Sequence, residues 1–203
     1  MSDVFRGKFQ LEDLAQGFRN IEQSSELFEN LFEDVDLYSK KLGSTPQKQN
    51  QTVGNVMKEL AGLDLAHQGD VLGDAYEYLI GKFAAGSGKK AGEFYTPSQV
   101  SEVLAQIVTK SSKIKSIYDP TVGSGSLLLT VGKHLSKNEQ RDLHYYGQEY
   151  ITETYNLTRM NLLLHGVRPE KMDIRNANTL AQDWPEDPER PDEGVQFDAV
   201  VMN

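Results

Sequence analysis

The sequence predicts an α-helical amino-terminal domain followed by an α/β domain built on a doubly wound, mostly parallel sheet. Apolar residues recur at helical spacing through residues 11–83. Beyond about residue 96, short apolar runs alternate with helical patterns, the rhythm of strand–helix–strand units. A glycine-bearing turn, Asp119-Pro120-Thr121-Val122-Gly123-Ser124-Gly125-Ser126, stands directly between one such strand and the helix after it.

In the first half, Leu27, Phe28, Leu31, Phe32, Val35 and Tyr38 form one helical stripe. Val53, Val56, Met57 and Leu60 form a second, and Leu72, Ala75, Tyr76, Leu79, Ile80 and Phe83 a third. Residues 1–86 therefore read as all-helical. Gly43-Ser44-Thr45-Pro46 interrupts the pattern, and Gly86-Ser87-Gly88-Lys89-Lys90-Ala91-Gly92 is glycine-rich and basic enough for a solvated hinge, so the domain boundary is expected there.

The second domain, residues 93–203, opens at Thr96-Pro97, a cap followed by proline at the first helical position. Val100, Val103, Leu104, Ile107 and Val108 are the expected buried stripe of that helix. The strand Ser116-Ile117-Tyr118-Asp119 follows, then the glycine turn, a helix through Leu127, Leu128 and Val131, and the strand Tyr145-Tyr146-Gly147-Gln148-Glu149. A helix over residues 152–165 stops at Gly166. Residues 172–175 suggest a third strand, and Phe197-Asp198-Ala199-Val200-Val201-Met202 a fully buried fourth. Residues 183–193, with three prolines among acidic side chains, read as a solvated surface loop anchored by Trp184.

Composition narrows the function classes. The chain of 203 residues is 38% hydrophobic and 25% charged, as expected of a soluble globular protein. It has no cysteine, no apolar run near the roughly 20 residues of a membrane span, and a polar start unlike a signal peptide, which together predict a cytoplasmic protein without membrane association. Thirty acidic against twenty-one basic residues give a net charge of −9, the wrong sign for a protein that grips DNA chiefly through its own phosphate contacts. His67, His134, His144 and His165 have no acid or cysteine partner at ligand spacing, so they read as surface or packing residues and no metal site is expected.

Chemistry concentrates around the glycine turn. Its glycines allow a tight bend and close backbone approach to a ligand whose polar groups meet the free amides of the helix start. Such a loop suits a dinucleotide or S-adenosylmethionine. Leu128 stands where the dinucleotide fingerprint has its third glycine, and no Walker lysine follows. Glu149 ends the next strand, from which a carboxylate reaches a ribose hydroxyl pair.

Taken in order, these motifs resemble those of modification subunits of type I restriction–modification systems. Gly92-Glu93-Phe94-Tyr95-Thr96-Pro97 looks like the family's Phe-Tyr/Phe-Thr-Pro motif, and the glycine loop its Asp-Pro-x-x-Gly-[Ser/Thr]-[Gly/Ala] motif. Gly147-Gln148-Glu149 is similar to its strand-end acid, and Met160-Asn161-Leu162-Leu163-Leu164-His165-Gly166 to a stretch read physically as helix packing and a cap. Residues 70–80 look like the end of its helical domain.

The resemblance implies a partial class I S-adenosylmethionine-dependent methyltransferase fold, with methyl transfer to the exocyclic amine of adenine in DNA. Glu93, Phe94, Tyr95, Thr96, Pro97, Ser98, Asp119, Gly123, Ser124, Gly125, Ser126 and Glu149 would hold the cofactor. Asn178 joins them as a departure, because the family usually has Asp there. Asn203 is the implied catalytic residue, the first of an Asn-Pro-Pro-[Phe/Tyr] motif that draws the adenine amine toward tetrahedral geometry while the aromatic side chain stacks on a flipped-out base. The chain thus reads as a fragment ending at that motif and is expected to be inactive alone. The implied partners are DNA, a specificity subunit, a second modification subunit and a restriction translocase subunit. Two other readings of the residues stay open: a nicotinamide-dinucleotide-binding domain, and an inactive interaction module.

Overall fold

Four parallel strands organise the second half of the chain. The computed structural model describes residues 8–62, 71–86, 95–110, 113–181, 185–187 and 189–203. In it β1 (Ser116–Asp119), β2 (His144–Glu149) and β3 (Met172–Asn176) join β6 (Ala199–Val200) in the order β3-β2-β1-β6, with every pair parallel. A separate antiparallel hairpin is formed by β4 (Glu186–Asp187) and β5 (Arg190–Gly194). The helices are α1 (Leu11–Glu22), α2 (Pro46–Ala61), α3 (Val71–Gly86), α4 (Ser98–Val108), α5 (Ser126–Lys133), α6 (Lys137–Asp142) and α7 (Thr152–Leu164).

Contacts divide the chain into the compact units Met1–Gly69 and Asp70–Asn203. The unit that holds the sheet includes α3, which packs against α7. Residues 87–94, with the Lys89-Lys90 pair, Glu93 and Phe94, lie outside the described residues, as do Trp184 and His67.

The first unit contains less helix than the apolar spacing suggests. Between α1 and α2, residues 27–38 form one short 3-10 turn, Glu26–Phe28, and then irregular turns. Asn30 lies at φ 56°, a left-handed conformation that ends helical hydrogen bonding. Phe32 still buries part of its ring by stacking on Phe18 with centroids 4.2 Å apart, while Leu27, Val35 and Tyr38 remain exposed. The Gln49 amide, itself buried, donates to the carbonyls of Tyr38, Ser39 and Gly43 and so satisfies backbone groups that a helix would have paired internally.

In the second unit the core lies between the sheet and its helices. Ile117, Leu127, Leu128, Val131, Leu143 and Leu162 are its fully buried centre. Ile117, Tyr145, Met172, Ile174 and Ala199 turn toward it, as strand alternation requires. Alternate positions of β1 and β2 carry an aromatic row, which Phe197 joins from the segment before β6: Phe197 stacks on Tyr118 at 4.6 Å and meets Tyr146 at 4.9 Å, and His144 stacks on Tyr146 at 4.6 Å.

Three expected features differ. The buried face of α4 runs through Ser101 and Ala105, with Leu104 and Val108 partly covered, whereas Val100, Val103 and Ile107 are exposed. Small residues at that face let α4 approach α5 closely, and the larger apolar side chains turn away. Val201 is buried but Val200 is 54% exposed, so the fourth strand alternates in place of being covered on both faces. The proline-rich stretch is a hairpin held by Arg190, which pairs with Asp187 at 2.8 Å and with Glu193 at 2.5 Å. One helix, α6, has no apolar stripe to announce it and is closed by a capping box between Ser136 and Glu139.

Candidate active site

Parallel strands bring their carboxyl ends to one edge of a sheet, where loops can converge on a ligand. Asp119 ends β1, Glu149 ends β2, Asn176 ends β3, and Asn203 follows β6. The glycine loop crosses this edge. Its Val122 N–H donates to the Gln148 carbonyl at 3.0 Å, and Gly125 N–H to the Val122 carbonyl at 2.8 Å. Gly123 (φ 54°) and Gly125 (φ 77°) are left-handed, and a Cβ on Gly125 would sit 3.0 Å from Thr158 Cγ2. Gly147 has the matching role on β2, since a Cβ there would lie 3.0 Å from Val122.

Helix α7 holds the loop from below. The Thr158 hydroxyl donates to the Gly123 carbonyl, and Asn161 Nδ2 donates to the Ser124 carbonyl at 2.9 Å. Both side chains are wholly buried. Sequence reading assigned Asn161 to packing and a cap and passed over Thr158. The available signal was polar residues Thr154, Thr158 and Asn161 at helical spacing on a buried face.

Asp119 is 2% exposed. Burial pushes its carboxyl up to about 6; the Thr121 N–H and hydroxyl, at 2.9 and 3.3 Å, oppose the rise, and the Glu149 charge adds to it. Glu149 is half-buried, and its Oε1 accepts the Ile151 N–H at 2.9 Å. Its backbone carbonyl accepts from Ala177 N–H and from Asn176 Nδ2, each at 2.9 Å, which locks the ends of β2 and β3 together.

Asn203 ties three segments together. Its Nδ2 donates to Thr96 Oγ1 at 3.3 Å, and its carbonyl accepts the Thr121 hydroxyl at 3.2 Å. Thr96 does not cap α4, which begins at Ser98 with Pro97 as the flanking residue; its hydroxyl faces Asn203 instead. Thr96, Asp119, Gly123 to Ser126, Glu149 and Asn203 therefore share one edge. Tyr95 turns toward α3, its hydroxyl at 3.5 Å from where a Gly81 Cβ would stand, and burial followed by the Glu77 charge raises its pKa. Asn178 is exposed, with its Oδ1 accepting the Leu180 N–H at 3.0 Å, and meets the loop only through its neighbour Thr179, which donates to the Pro120 carbonyl. Pro97 and Ser98 are exposed at the head of α4.

The histidines differ from expectation in having acid partners in space. His134 Nε2 is 3.0 Å from Glu102, and the buried His165 side chain is 3.8 Å from Glu77. Asp74, Glu77 and His165 come within 4.8 Å of one another, but the Lys133 ammonium already faces Asp74 at 3.3 Å and Glu77 at 3.8 Å.

Comparison with known proteins bears on the same edge. The chain is 38% identical over 200 residues to the type I restriction enzyme MpnII methylase subunit of Mycoplasma pneumoniae, an alignment covering 92% of this chain and 37% of that protein. The crystal structure of a type I restriction-modification system methyltransferase subunit from Streptococcus thermophilus superposes with a TM-score of 0.87 at 56% identity, over 99% of this chain and 42% of the other. A class I S-adenosylmethionine-dependent methyltransferase of Listeria monocytogenes shares the fold, with a TM-score of 0.58 at 19% identity over 90% of this chain and 51% of that one. The chain thus spans well under half the length of both type I relatives. The N-6 DNA Methylase family matches residues 67–203, from just before α3 through the whole glycine-loop edge to Asn203, and the chain belongs to that family.

Proposed function

We propose that the chain is the cofactor-holding part of an adenine-specific DNA methyltransferase, the modification subunit of a cytoplasmic type I restriction–modification complex. The observation that carries this reading is the junction of Asn203, Thr96 and the glycine loop beside Glu149. The residues fit S-adenosylmethionine: two left-handed glycines clear a cradle at the start of α5, and a half-buried carboxylate stands at the end of β2 with Oε2 left to accept a ribose hydroxyl. When bound, that molecule supplies a methyl group already activated on a sulfonium, so the protein needs to position more than to move protons.

Each side chain then has a defined task. The glycine loop, held by Thr158 and Asn161, orients the donor, and Glu149 fixes its ribose. Thr96 accepts the Asn203 amide N–H, which leaves Asn203 Oδ1 to accept a hydrogen of the adenine amine and bring its lone pair out of the ring system. A net charge of −9 suits a subunit that borrows DNA contacts from a specificity subunit, a second modification subunit and a restriction subunit.

Calorimetric titration with S-adenosylmethionine and, separately, with NAD tests the assignment. The methyl donor is expected to bind and NAD not to. Gly123→Val should abolish binding because φ 54° excludes a β-branched side chain. Glu149→Ala should weaken it roughly tenfold, the loss of about 1.5 kcal/mol expected for a hydrogen bond to a charged group. In the full-length enzyme, Asn203→Ala should stop methyl transfer while the donor still binds. Preference for NAD, or donor affinity unchanged by both Gly123→Val and Glu149→Ala, overturns the reading.

A further inference from the structure

The opposite end of the sheet holds a cavity of about 360 Å3, within the roughly 300–1,000 Å3 range of small-molecule pockets. Its walls come from α6, the start of β2 and the segment joining α7 to β3. Since Tyr145 of β2 lines the cavity and Glu149 ends the strand four residues on, the two are about 13 Å apart along it. Lys137, Arg141, Arg168 and Lys171 line the cavity with Tyr145 and Val167, and no carboxylate does. In a chain of net charge −9 such a gathering of cations is against the general composition.

The needs of the fold account for these positions only in part: Arg168 and Lys171 cap the last carbonyls of α6, which uses one donor of each. Lys137 occupies the first position of α6, where the helix dipole favours an acid. Arg168 Nη2 donates to the Arg141 carbonyl at 3.2 Å, and Lys171 Nζ to the Asp142 carbonyl at 3.3 Å, which fixes both side chains without cancelling their charge. Among the described residues, the set has one carboxylate partner, Glu170, at 3.2 Å from Arg168 with both side chains exposed. A guanidinium has five N–H donors and an ammonium three, so most remain for a ligand. The positive field reaches His144, whose imidazole titrates below its usual value through burial first and the Lys171 charge second. Burial pushes the Tyr145 phenol up to about 12, so that wall adds no negative charge.

We propose that this cavity binds phosphate groups, either those of a small phosphate ester or those of a nucleic-acid backbone. Forked guanidiniums and ammonium groups around a cavity match phosphate oxygens in charge and donor geometry. The site shares no residue with the glycine-loop edge and stands whether or not that edge binds a methyl donor.

The test compares the full chain with its Arg141→Gln/Arg168→Gln/Lys171→Gln variant, using pyrophosphate and a short DNA duplex of arbitrary sequence as probes. Pyrophosphate held by the parent and at least roughly tenfold weaker in the variant identifies the small-ester source. For the duplex, a plot of log affinity against log salt that is shallower by about 2 to 3 in the variant identifies the backbone source. Parent and variant that bind both probes alike, or a parent that binds neither, overturn the proposal. Unfolding temperatures show whether the variant is intact; if it is not, Lys137→Gln, on an exposed first turn, gives the same comparison with a slope change of about 1.

Discussion

Asp119 and Glu149 share one sheet edge, Asp119 buried and Glu149 half-buried, and the burial of Asp119 is measurable. The buried Asp119 titrates near 6 where a free aspartate titrates near 3.8, because burial disfavours its charge. The folded chain therefore binds that proton more tightly than the unfolded chain does. Its ionisation costs nothing below about pH 4, grows as pH rises, and is complete above about pH 6 at about 3 kcal/mol. Asp119→Asn keeps an oxygen to accept the Thr121 N–H and removes the charge, so it should gain heat stability over the parent at pH 8 and not at pH 4. An equal gain at both pH values would show that burial of the charge is not the cause. Asn161→Leu acts on the same loop from beneath. It leaves the Ser124 carbonyl without its 2.9 Å donor inside the core and should cost about 1–3 kcal/mol in urea unfolding. The loop should also lose its hold on a methyl donor, so affinity falls in Asn161→Leu even at temperatures where the fold is intact.

Elements here are fixed by contacts that periodicity does not report. Helix α6 has six residues, none of them apolar, and stands because Ser136 and Glu139 each satisfy the other's backbone N–H. Ser136→Ala should cost about 1 kcal/mol and be visible in thermal unfolding. Strand β6 has two residues, and its register against β1 comes from Asp198, whose carboxylate accepts the Lys115 and Ser116 N–H groups at 2.8 and 3.0 Å. Those bonds, the one from Lys115 above all, hold the Asp198 carboxyl below the usual carboxylate range. Stability from this anchor is present at neutral pH and is lost as acid protonates Asp198, in the range below the ordinary aspartate pKa. Asp198→Ala should therefore destabilise at pH 7 and make little difference at pH 2. A loss of the same size at both pH values would refute the anchoring role.

On the scale of the molecule, α3 decides where one unit begins. It packs on α7 and carries Glu77 toward His165, so the unit that includes the sheet starts at Asp70. A chain starting at Asp70 should unfold cooperatively and keep its methyl-donor affinity, whereas one starting at Glu93 should lose α3, uncover α7 and melt at lower temperature. Equal melting of the two truncations would return the boundary to the glycine-rich stretch. Among the described residues no helix is long and apolar enough to cross a membrane.

By itself the sequence determined the alternation of strands and helices after residue 96, three of the four strands nearly to the residue, and the glycine loop with Glu149 at the next strand end. These are local properties: a period of two or 3.6 and a turn that only glycine adopts are written within a few neighbouring residues. Tertiary structure alone decided the rest. The same apolar spacing yields helix at α3 but turns at residues 27–38, where Asn30 is left-handed and Gln49 takes up the Tyr38 carbonyl at the end of the stretch. It decided that α4 buries Ser101 and Ala105 in place of Val100 and Ile107, and that Thr96 meets Asn203, 107 residues away. Periodicity tells that a side of an element will be covered; which side, and by what, depends on the neighbour that arrives, and that neighbour is distant in sequence.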